Sequence, residues 1–136
     1  MFADPGKNVE KCGIQAGQDI ADLGAGSGFY TMAAAKALMA TGKVYAIDAQ
    51  KDLLVKLKKT ATREGLYNVE VIWGDIEKPN GTNLRESSID LAFLCNVLFQ
   101  LEDKSGILKE VKRILKPAGR VLVIDWEDSF GGIGPK

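Results

Sequence analysis

A glycine-rich loop between an apolar run and an alanine-rich segment constrains this chain more than any other feature. The loop reads DLGAGSG over residues 22–28, and the residues after it favour a helix. Glycines allow positive φ angles and let the backbone approach a ligand closely, while the first turn of the following helix offers free N–H groups. We therefore predict a strand, a ligand-binding loop and a helix in succession.

An acidic residue after the next apolar run strengthens this prediction. Asp48 follows residues 44–47 and lies about 20 residues beyond the loop, where a carboxylate of a doubly wound fold reaches a ribose hydroxyl. A dinucleotide fingerprint requires a small residue at the position of Phe29, and the small residue is Gly28 instead. A nicotinamide oxidoreductase is therefore the least favoured hypothesis.

The loop and several later segments resemble the motifs of the class I methyltransferases, which bind S-adenosylmethionine. The later segments are VYAID ending at Asp48, GDI at residues 74–76, IDLAFLCNVLFQ at residues 89–100 and LKPAGRVLVID at residues 115–125. They occur in the order of the family and extend over residues 19–125, and they are most like the small-molecule branch related to quinone biosynthesis. The resemblance implies an α/β fold, a Rossmann-like doubly wound parallel sheet of strand order 3-2-1-4-5.

The resemblance also implies a set of cofactor-binding residues. Asp48 would bind the ribose, Asp75 the exocyclic amine of adenine, and Ile76 the face of the ring. A backbone carbonyl at Cys95 or Asn96 would hold the ammonium group of the methionine part. The complete set is Asp22, Gly24, Ala25, Gly26, Gly28, Asp48, Ala49, Asp75, Ile76, Cys95 and Asn96. The cofactor would be S-adenosylmethionine, and the product S-adenosylhomocysteine.

Several of these residues also have a plainer interpretation. Asp22 could cap the glycine loop, Asp48 could be the N-cap of the next helix, and Asp75 could belong to an ordinary Gly-Asp turn. We interpret Cys95 as a small apolar residue rather than a nucleophile. The ligand-binding roles are favoured because the motifs occur together and in order.

Composition restricts the other classes of function. Lys plus Arg and Asp plus Glu are both 18, so no net charge attracts nucleic acid or an anionic membrane. No apolar run approaches the roughly 20 residues that span a bilayer, and the first residues lack the pattern of a signal peptide, so we expect a cytoplasmic protein. The sequence has no histidine, and its two cysteines lack metal-ligand spacing, so we expect no metal site. A length of 136 residues predicts a single domain over residues 1–136.

The alternation of strand-like and helix-like segments predicts the order of the elements. Strands are expected at residues 19–23, 43–47, 69–73, 89–94 and 120–125, and helices at residues 8–12, 29–40, 51–64 and 103–115. We expect Trp73 and Phe93 in the core, Leu108 on the apolar stripe of the last helix, and Gly65 at the end of the third helix. The lysines of residues 51–59 are expected on a solvated face.

The resemblance implies in-line transfer of a methyl group to a small-molecule acceptor. Strand four lacks the N-P-P-aromatic signature of enzymes that methylate amino groups of nucleic acids, so nucleic acid is a minority hypothesis and the acceptor atom stays open. The catalytic residue is unassigned, with Asp125, Glu127 and Asp128 as candidate bases near the end of strand five.

Members of the family usually continue beyond strand five, whereas this sequence ends soon after it, so we expect a truncated or minimal form of the fold. Two hypotheses follow: a small-molecule methyltransferase, or a cofactor-binding module that is inactive alone or needs a partner. Strand five would lie at the edge of the sheet, although residues 120–126 read like a central strand without proline or lysine. We therefore predict a homodimer or larger homo-oligomer through this edge.

Overall fold

A parallel five-stranded sheet in the order β3-β2-β1-β4-β5 forms the centre of the structure, a computed structural model that describes residues 4–95 and 104–124. The strands are β1 (Asp19–Leu23), β2 (Lys43–Asp48), β3 (Val69–Trp73), β4 (Ile89–Cys95) and β5 (Leu115–Ile124). The helices are α1 (Pro5–Lys11), α2 (Phe29–Leu38), α3 (Lys51–Arg63) and α4 (Ser105–Ile114). The expected Rossmann-like architecture and its strand order are confirmed.

The strand order reverses at β1, which pairs with both β2 and β4. Ile20 is opposite Val44 on one side and Leu91 on the other. Because all of these strands are parallel, their carboxyl ends meet at the same edge of the sheet. Ligands of open α/β sheets bind at such a point of reversal.

Both faces of the sheet are covered by helices. On one face, α1, α2 and α3 pack against a cluster that includes Ile20 and Phe93. On the other face, α4 packs against a cluster that includes Leu23 and Ile47. The strands next to the reversal are therefore buried on both sides, which explains their nearly continuous apolar sequences.

The helix ends follow from local hydrogen bonds. α1 begins earlier than residue 8 because the Asp4 side chain accepts a hydrogen bond from the backbone N–H of Lys7, and Pro5 favours the first helical position. α3 is followed by Gly65 in a left-handed conformation, as expected, and Leu66 N donates to Ala61 O at 2.8 Å. The longest helix within residues 4–95 and 104–124 has 13 residues, and none of the described helices can cross a membrane.

Two apolar residues expected on buried faces are exposed. Trp73 is 59% exposed because it lies at the end of the edge strand β3, where its indole N–H donates to Ala49 O. Leu108 of α4 is 48% exposed, whereas Phe93 is fully buried as expected. The fifth strand also differs from the prediction, since β5 begins at Leu115 and its pairing with β4 is irregular near Ile89.

Candidate functional site

A cavity of about 520 Å³ opens at the carboxyl ends of β1, β2 and β4. The expected site residues that line it are Asp22, Gly24, Ala25, Gly26, Asp48, Ala49, Asp75, Ile76 and Cys95. The remaining lining residues are Ser27, Phe29, Tyr30, Gln50, Leu53, Gly74 and Glu77. Asn96, Asp125, Glu127 and Asp128 lie outside the described residues. The fold thus brings together side chains from four separate sequence segments at the point where the strand order reverses.

The glycine loop is held against the end of β2 by its own backbone. The N–H groups of Gly24 and Ala25 both donate to Ile47 O, at 2.8 and 3.0 Å. The N–H of Gly26 donates to Asp48 Oδ2 at 2.9 Å. These three donors already have partners within the protein, so the loop forms a fixed wall of the cavity.

Gly26 and Gly28 have different surroundings. Gly26 has φ +57°, and a Cβ built there would have no neighbour nearer than Gly24 O at 4.0 Å. Gly28 has φ +89°, but a Cβ there would lie 2.7 Å from Leu57 Cδ1 of α3, and Gly28 does not line the cavity. Gly28 therefore has a packing role, because its small size lets Leu57 approach the start of α2. Its contact with a ligand stays a prediction.

Asp22 is a buried carboxylate at the cavity. It is 2% exposed, and its Oδ2 accepts a hydrogen bond of 2.7 Å from Thr31 Oγ1. The pKa of Asp22 is raised to about 6, chiefly by burial and in part by the nearby Asp48, against the opposing effect of the hydrogen bond from Thr31. Thr31 was not predicted from the sequence, because its contact with Asp22 depends on how α2 packs on β1.

Asp48 connects the glycine loop to the start of α3. Its Oδ2 accepts from Gly26 N, and its Oδ1 accepts from Gln50 N at 2.9 Å. The N-cap of α3 is Gln50, so the plainer interpretation of Asp48 as the N-cap is wrong. Each carboxylate oxygen can accept a second hydrogen bond, which leaves capacity for ligand hydroxyls.

The opposite wall of the cavity is formed by the turn after β3. Asp75 Oδ1 accepts from Glu77 N at 3.0 Å, so the residue does belong to a local turn as well as to the cavity lining. Ile76 and Leu53 are the aliphatic side chains on this side. Leu53 was not predicted from the sequence, although it lies outside the buried stripe that contains Leu54 and Leu57.

Cys95 and Tyr30 lie at the end of the cavity nearest Asp22. Burial is the main cause that raises the pKa of the Cys95 thiol, and Asp22 adds to it, so the thiol is protonated at neutral pH and is a poor nucleophile. The Tyr30 hydroxyl accepts a hydrogen bond from Asn8 Nδ2 at 2.9 Å, and its ring contacts Phe93 edge to face. Tyr30 was not anticipated from the sequence, since a tyrosine in an apolar helix has no distinguishing pattern.

The cavity has a pronounced negative character. The acidic residues that line it are Asp22, Asp48, Asp75 and Glu77. No lysine or arginine of residues 4–95 and 104–124 is part of the lining. In the same described ranges, no three His, Cys, Asp or Glu side chains are grouped so that they could hold a metal ion. The arrangement favours an organic ligand that carries positive charge.

Comparisons with known proteins agree with this geometry. The sequence profile of a family described as "Methyltransferase domain" matches residues 14–129. A crystal structure of a SAM-dependent methyltransferase from Aquifex aeolicus is 32% identical and superposes with a TM-score of 0.83 over 98% of this chain and 69% of that chain. An arsenic(III) S-adenosylmethionine methyltransferase from Chlamydomonas reinhardtii is 29% identical, with a TM-score of 0.74 over 92% of this chain and 42% of that one.

A curated protein is similar to this chain in sequence. A demethylmenaquinone methyltransferase of Staphylococcus aureus is 34% identical over 119 residues, which are 86% of this chain and 46% of the relative. The chain spans less than half of the length of the curated relatives that we compared.

Proposed function

Because this chain belongs to the methyltransferase domain family, we propose that it binds S-adenosylmethionine in the cavity and transfers the methyl group to a small-molecule acceptor. The product of the cofactor is S-adenosylhomocysteine. The chain corresponds to only part of its curated relatives, so their activity does not carry over directly. Binding and catalysis are therefore both part of the proposal.

The negative lining of the cavity is the observation that carries the proposal. S-adenosylmethionine has a positive sulfonium and a positive ammonium group, and four carboxylates face the space in which it would lie. A nicotinamide dinucleotide has a negative pyrophosphate instead, which needs free N–H donors at the glycine loop. Gly24, Ala25 and Gly26 already use their N–H groups within the protein, which disfavours a pyrophosphate there.

The lining residues supply a partner for each part of the cofactor in this proposal. Asp48 accepts from the ribose hydroxyls, and Asp75 accepts from the exocyclic amine of adenine. Ile76 and Leu53 contact the purine ring. At the other end, the buried Asp22 carboxylate attracts the ammonium group, and the backbone at Cys95 contributes a carbonyl.

The chain contributes mainly binding, alignment and exclusion of water. When bound, S-adenosylmethionine supplies a methyl group that the positive sulfur has already activated. Phe29 and Tyr30 line the cavity on the α2 side, and the fixed glycine loop holds the orientation of the reacting end. Asp125, Glu127 and Asp128 remain the candidates for a base, for an acceptor that must lose a proton.

The nature of the acceptor is the least constrained part of the proposal. Two of the relatives with named acceptors are a demethylmenaquinone methyltransferase and an arsenic(III) methyltransferase. Both names describe small molecules rather than nucleic acids or proteins. We therefore propose a small-molecule acceptor, with a quinol of this kind as the first candidate.

Calorimetric titration of the purified chain tests the binding step. We expect S-adenosylmethionine and S-adenosylhomocysteine to bind, and NAD not to bind. The catalytic step is tested with labelled S-adenosylmethionine and a panel of quinol, phenol, thiol, amine and arsenite acceptors. Transfer to any small molecule supports the whole proposal, whereas binding with no transfer to any of them supports a cofactor-binding module that needs a partner. Preference for NAD would contradict the proposal.

A further inference from the structure

Glu110 is a buried carboxylate of α4 that lies outside the cavity lining. Its Oε1 accepts hydrogen bonds from Asn80 N at 3.0 Å and Arg113 Nε at 2.9 Å. Its Oε2 accepts from Thr82 N at 3.2 Å, from Thr82 Oγ1 at 2.7 Å and from an Arg113 Nη2 at 2.7 Å. The side chain is 2% exposed, so these bonds replace nearly all of its contact with water.

The backbone at Asn80 and Thr82, which donates to Glu110, belongs to the same turn as the cavity residue Asp75. Lys78 N donates to Asp75 O at 3.2 Å, and Gly81 N donates to Lys78 O at 2.9 Å. A methyl group at Gly81 would overlap the carbonyl oxygen of Asp75, so the two ends of this turn pack without free space. Asn80 has φ +60°, a left-handed conformation that asparagine adopts more readily than most residues, and its backbone N–H is the donor to Glu110.

α4 contacts the same turn at a second point. A methyl group at Gly106 would overlap the carbonyl oxygen of Glu77, so the start of α4 lies directly on the turn. Thr82 also connects Glu110 to the following residues, since its Oγ1 accepts a hydrogen bond of 3.2 Å from Leu84 N. The turn and α4 therefore form one connected unit, with Asp75 at its cavity end.

We propose that Glu110 is a positioning residue for adenine recognition: through Asn80 and Thr82 it fixes the turn that presents Asp75 and Ile76 to the purine. This inference rests on the proposed function, since it concerns the selectivity of the same cavity. Glu110 itself touches no ligand. Its effect is to prevent the Asp75 carboxylate from moving away from the exocyclic amine.

The test compares S-adenosylhomocysteine with S-inosylhomocysteine, in which an oxygen replaces the amine at purine C6. An Asp75 carboxylate held in place accepts a hydrogen bond from the amine of adenine, whereas it repels the purine oxygen of S-inosylhomocysteine. The unmodified protein should therefore prefer S-adenosylhomocysteine about 10- to 100-fold. Thr82→Val keeps the shape of the side chain and removes the hydrogen bond from the hydroxyl to Glu110, while the backbone N–H of residue 82 can still donate to Glu110. We expect this variant to lose about ten-fold of the preference, while Thr82→Ser, which keeps the hydroxyl, retains it.

Two further variants separate positioning from stability. Glu110→Gln removes the charge and replaces one of the two acceptor oxygens by an NH2 donor. Like Thr82→Val, it should reduce the preference for S-adenosylhomocysteine. Val111→Ala is the control, since it is a buried residue of the same helix outside the network, and it should lower stability without changing the preference.

An unchanged preference in both Thr82→Val and Glu110→Gln, with a lost preference in Asp75→Ala, would overturn the positioning role alone. Equal binding of the two compounds by the unmodified protein would overturn it together with the assignment of Asp75. Binding of neither compound would overturn the proposed function itself.

Discussion

Asp48 supports the cavity in two ways, because it fixes the glycine loop through Gly26 N and faces the site of the proposed ribose. Asp48→Ala should weaken binding of S-adenosylhomocysteine by about 1.5–3 kcal/mol, or roughly ten- to a hundred-fold, because charge-assisted hydrogen bonds to the ribose are lost. Calorimetry measures the change. Asp52→Ala, at an exposed position in the first turn of α3, is the control and should bind normally. Unchanged affinity of Asp48→Ala would remove the ribose assignment.

Gly26 is expected to be essential because a side chain there would enter the cavity. Its Cβ position is free of protein atoms, and the residue lines the cavity in a left-handed conformation. Gly26→Val should abolish binding and leave most of the fold intact, as seen by circular dichroism and calorimetry. Gly13→Val is a matched control, since Gly13 also has a positive φ and open space but lies away from the cavity. Normal binding by Gly26→Val would mean that the ligand lies elsewhere.

The buried Asp22 should make the stability of the ligand-free protein depend on pH. Its pKa is raised from 3.8 to about 6, so the folded state holds a proton that the unfolded state releases, and stability falls as pH rises from about 4 to 6. The difference corresponds to about 3 kcal/mol. Asp22→Asn should therefore gain stability relative to the unmodified protein by about this amount between pH 4 and pH 7.

Urea unfolding of both proteins at the two pH values measures this effect. Asp52→Asn serves as the control at an exposed position, where substitutions change stability little. A difference between Asp22→Asn and the unmodified protein that is the same at pH 4 and pH 7 would contradict the burial of a titrating carboxylate.

At the level of single residues, the sequence predicted which residues lie at the candidate site better than it predicted the side chains that contact them. The loop glycines, Asp48 and Asp75 could be located because they follow strands in a recognisable order. The hydrogen bond from Thr31 to Asp22 could not be predicted, because it depends on how α2 packs on β1. The packing of Leu57 against Gly28 could not be predicted either, because it depends on how α3 lies against the start of α2.

At the level of elements, α4 and the turn after β3 depend on each other through Glu110. Its bonds to Arg113 and to Thr82 and Asn80 outweigh burial and hold its pKa at about 2, below the usual 4.5. A lowered pKa stabilises the folded state above pH 4.5, and this contribution of about 3 kcal/mol is lost as pH falls from 4.5 towards 2. The destabilisation caused by Glu110→Gln should therefore be large at pH 7 and small at pH 2.5.

Urea unfolding at these two pH values measures the difference for Glu110→Gln. The exposed Glu10→Gln should change stability little at either pH. An equal loss of stability at pH 7 and pH 2.5 in Glu110→Gln would indicate that its packing matters, and not its charge.

The elements whose limits the sequence predicted well are those fixed by local signals. β1 and β3 begin and end at the predicted residues, because apolar runs bounded by polar or glycine residues define them. β5 was predicted to begin at residue 120, but the segment from Leu115 already pairs with β4 through an irregular register. Such pairing depends on the neighbouring strand and has no local signature. Trp73 was misplaced because an aromatic residue at the end of an apolar run resembles a core residue in composition, although the predicted strand order already put β3 at the edge of the sheet.

At the level of the whole molecule, a net charge of zero conceals separated charges. The cavity collects carboxylates, whereas α3 carries lysines on its exposed surface, as expected from its sequence. The total charge therefore carried no information about the ligand of the cavity, and the expectation that nucleic acid is not a partner stays a prediction. The family resemblance of the motifs is confirmed, because motif order reflects the topology that brings those charges together.

β5 lies at the edge of the sheet in the part of the chain that the structure describes, and it exposes apolar side chains. Val121 and Val123 are 43% and 48% exposed. An edge strand of this composition favours pairing with another strand, and two copies could join through β5 across a two-fold axis. We therefore predict a homodimer or larger homo-oligomer, which Val123→Lys should dissociate because it places a charge on the pairing edge.

Light scattering over a range of concentrations measures the mass of each protein. Val55→Lys is a matched control, since Val55 is 52% exposed on α3, away from β5, and the variant should keep the mass of the unmodified protein. A lower mass for Val123→Lys alone would locate the interface at β5, because both variants add the same charge to a similarly exposed valine. A stable monomer of the unmodified protein at micromolar concentration, with the same mass for Val123→Lys, would refute the prediction.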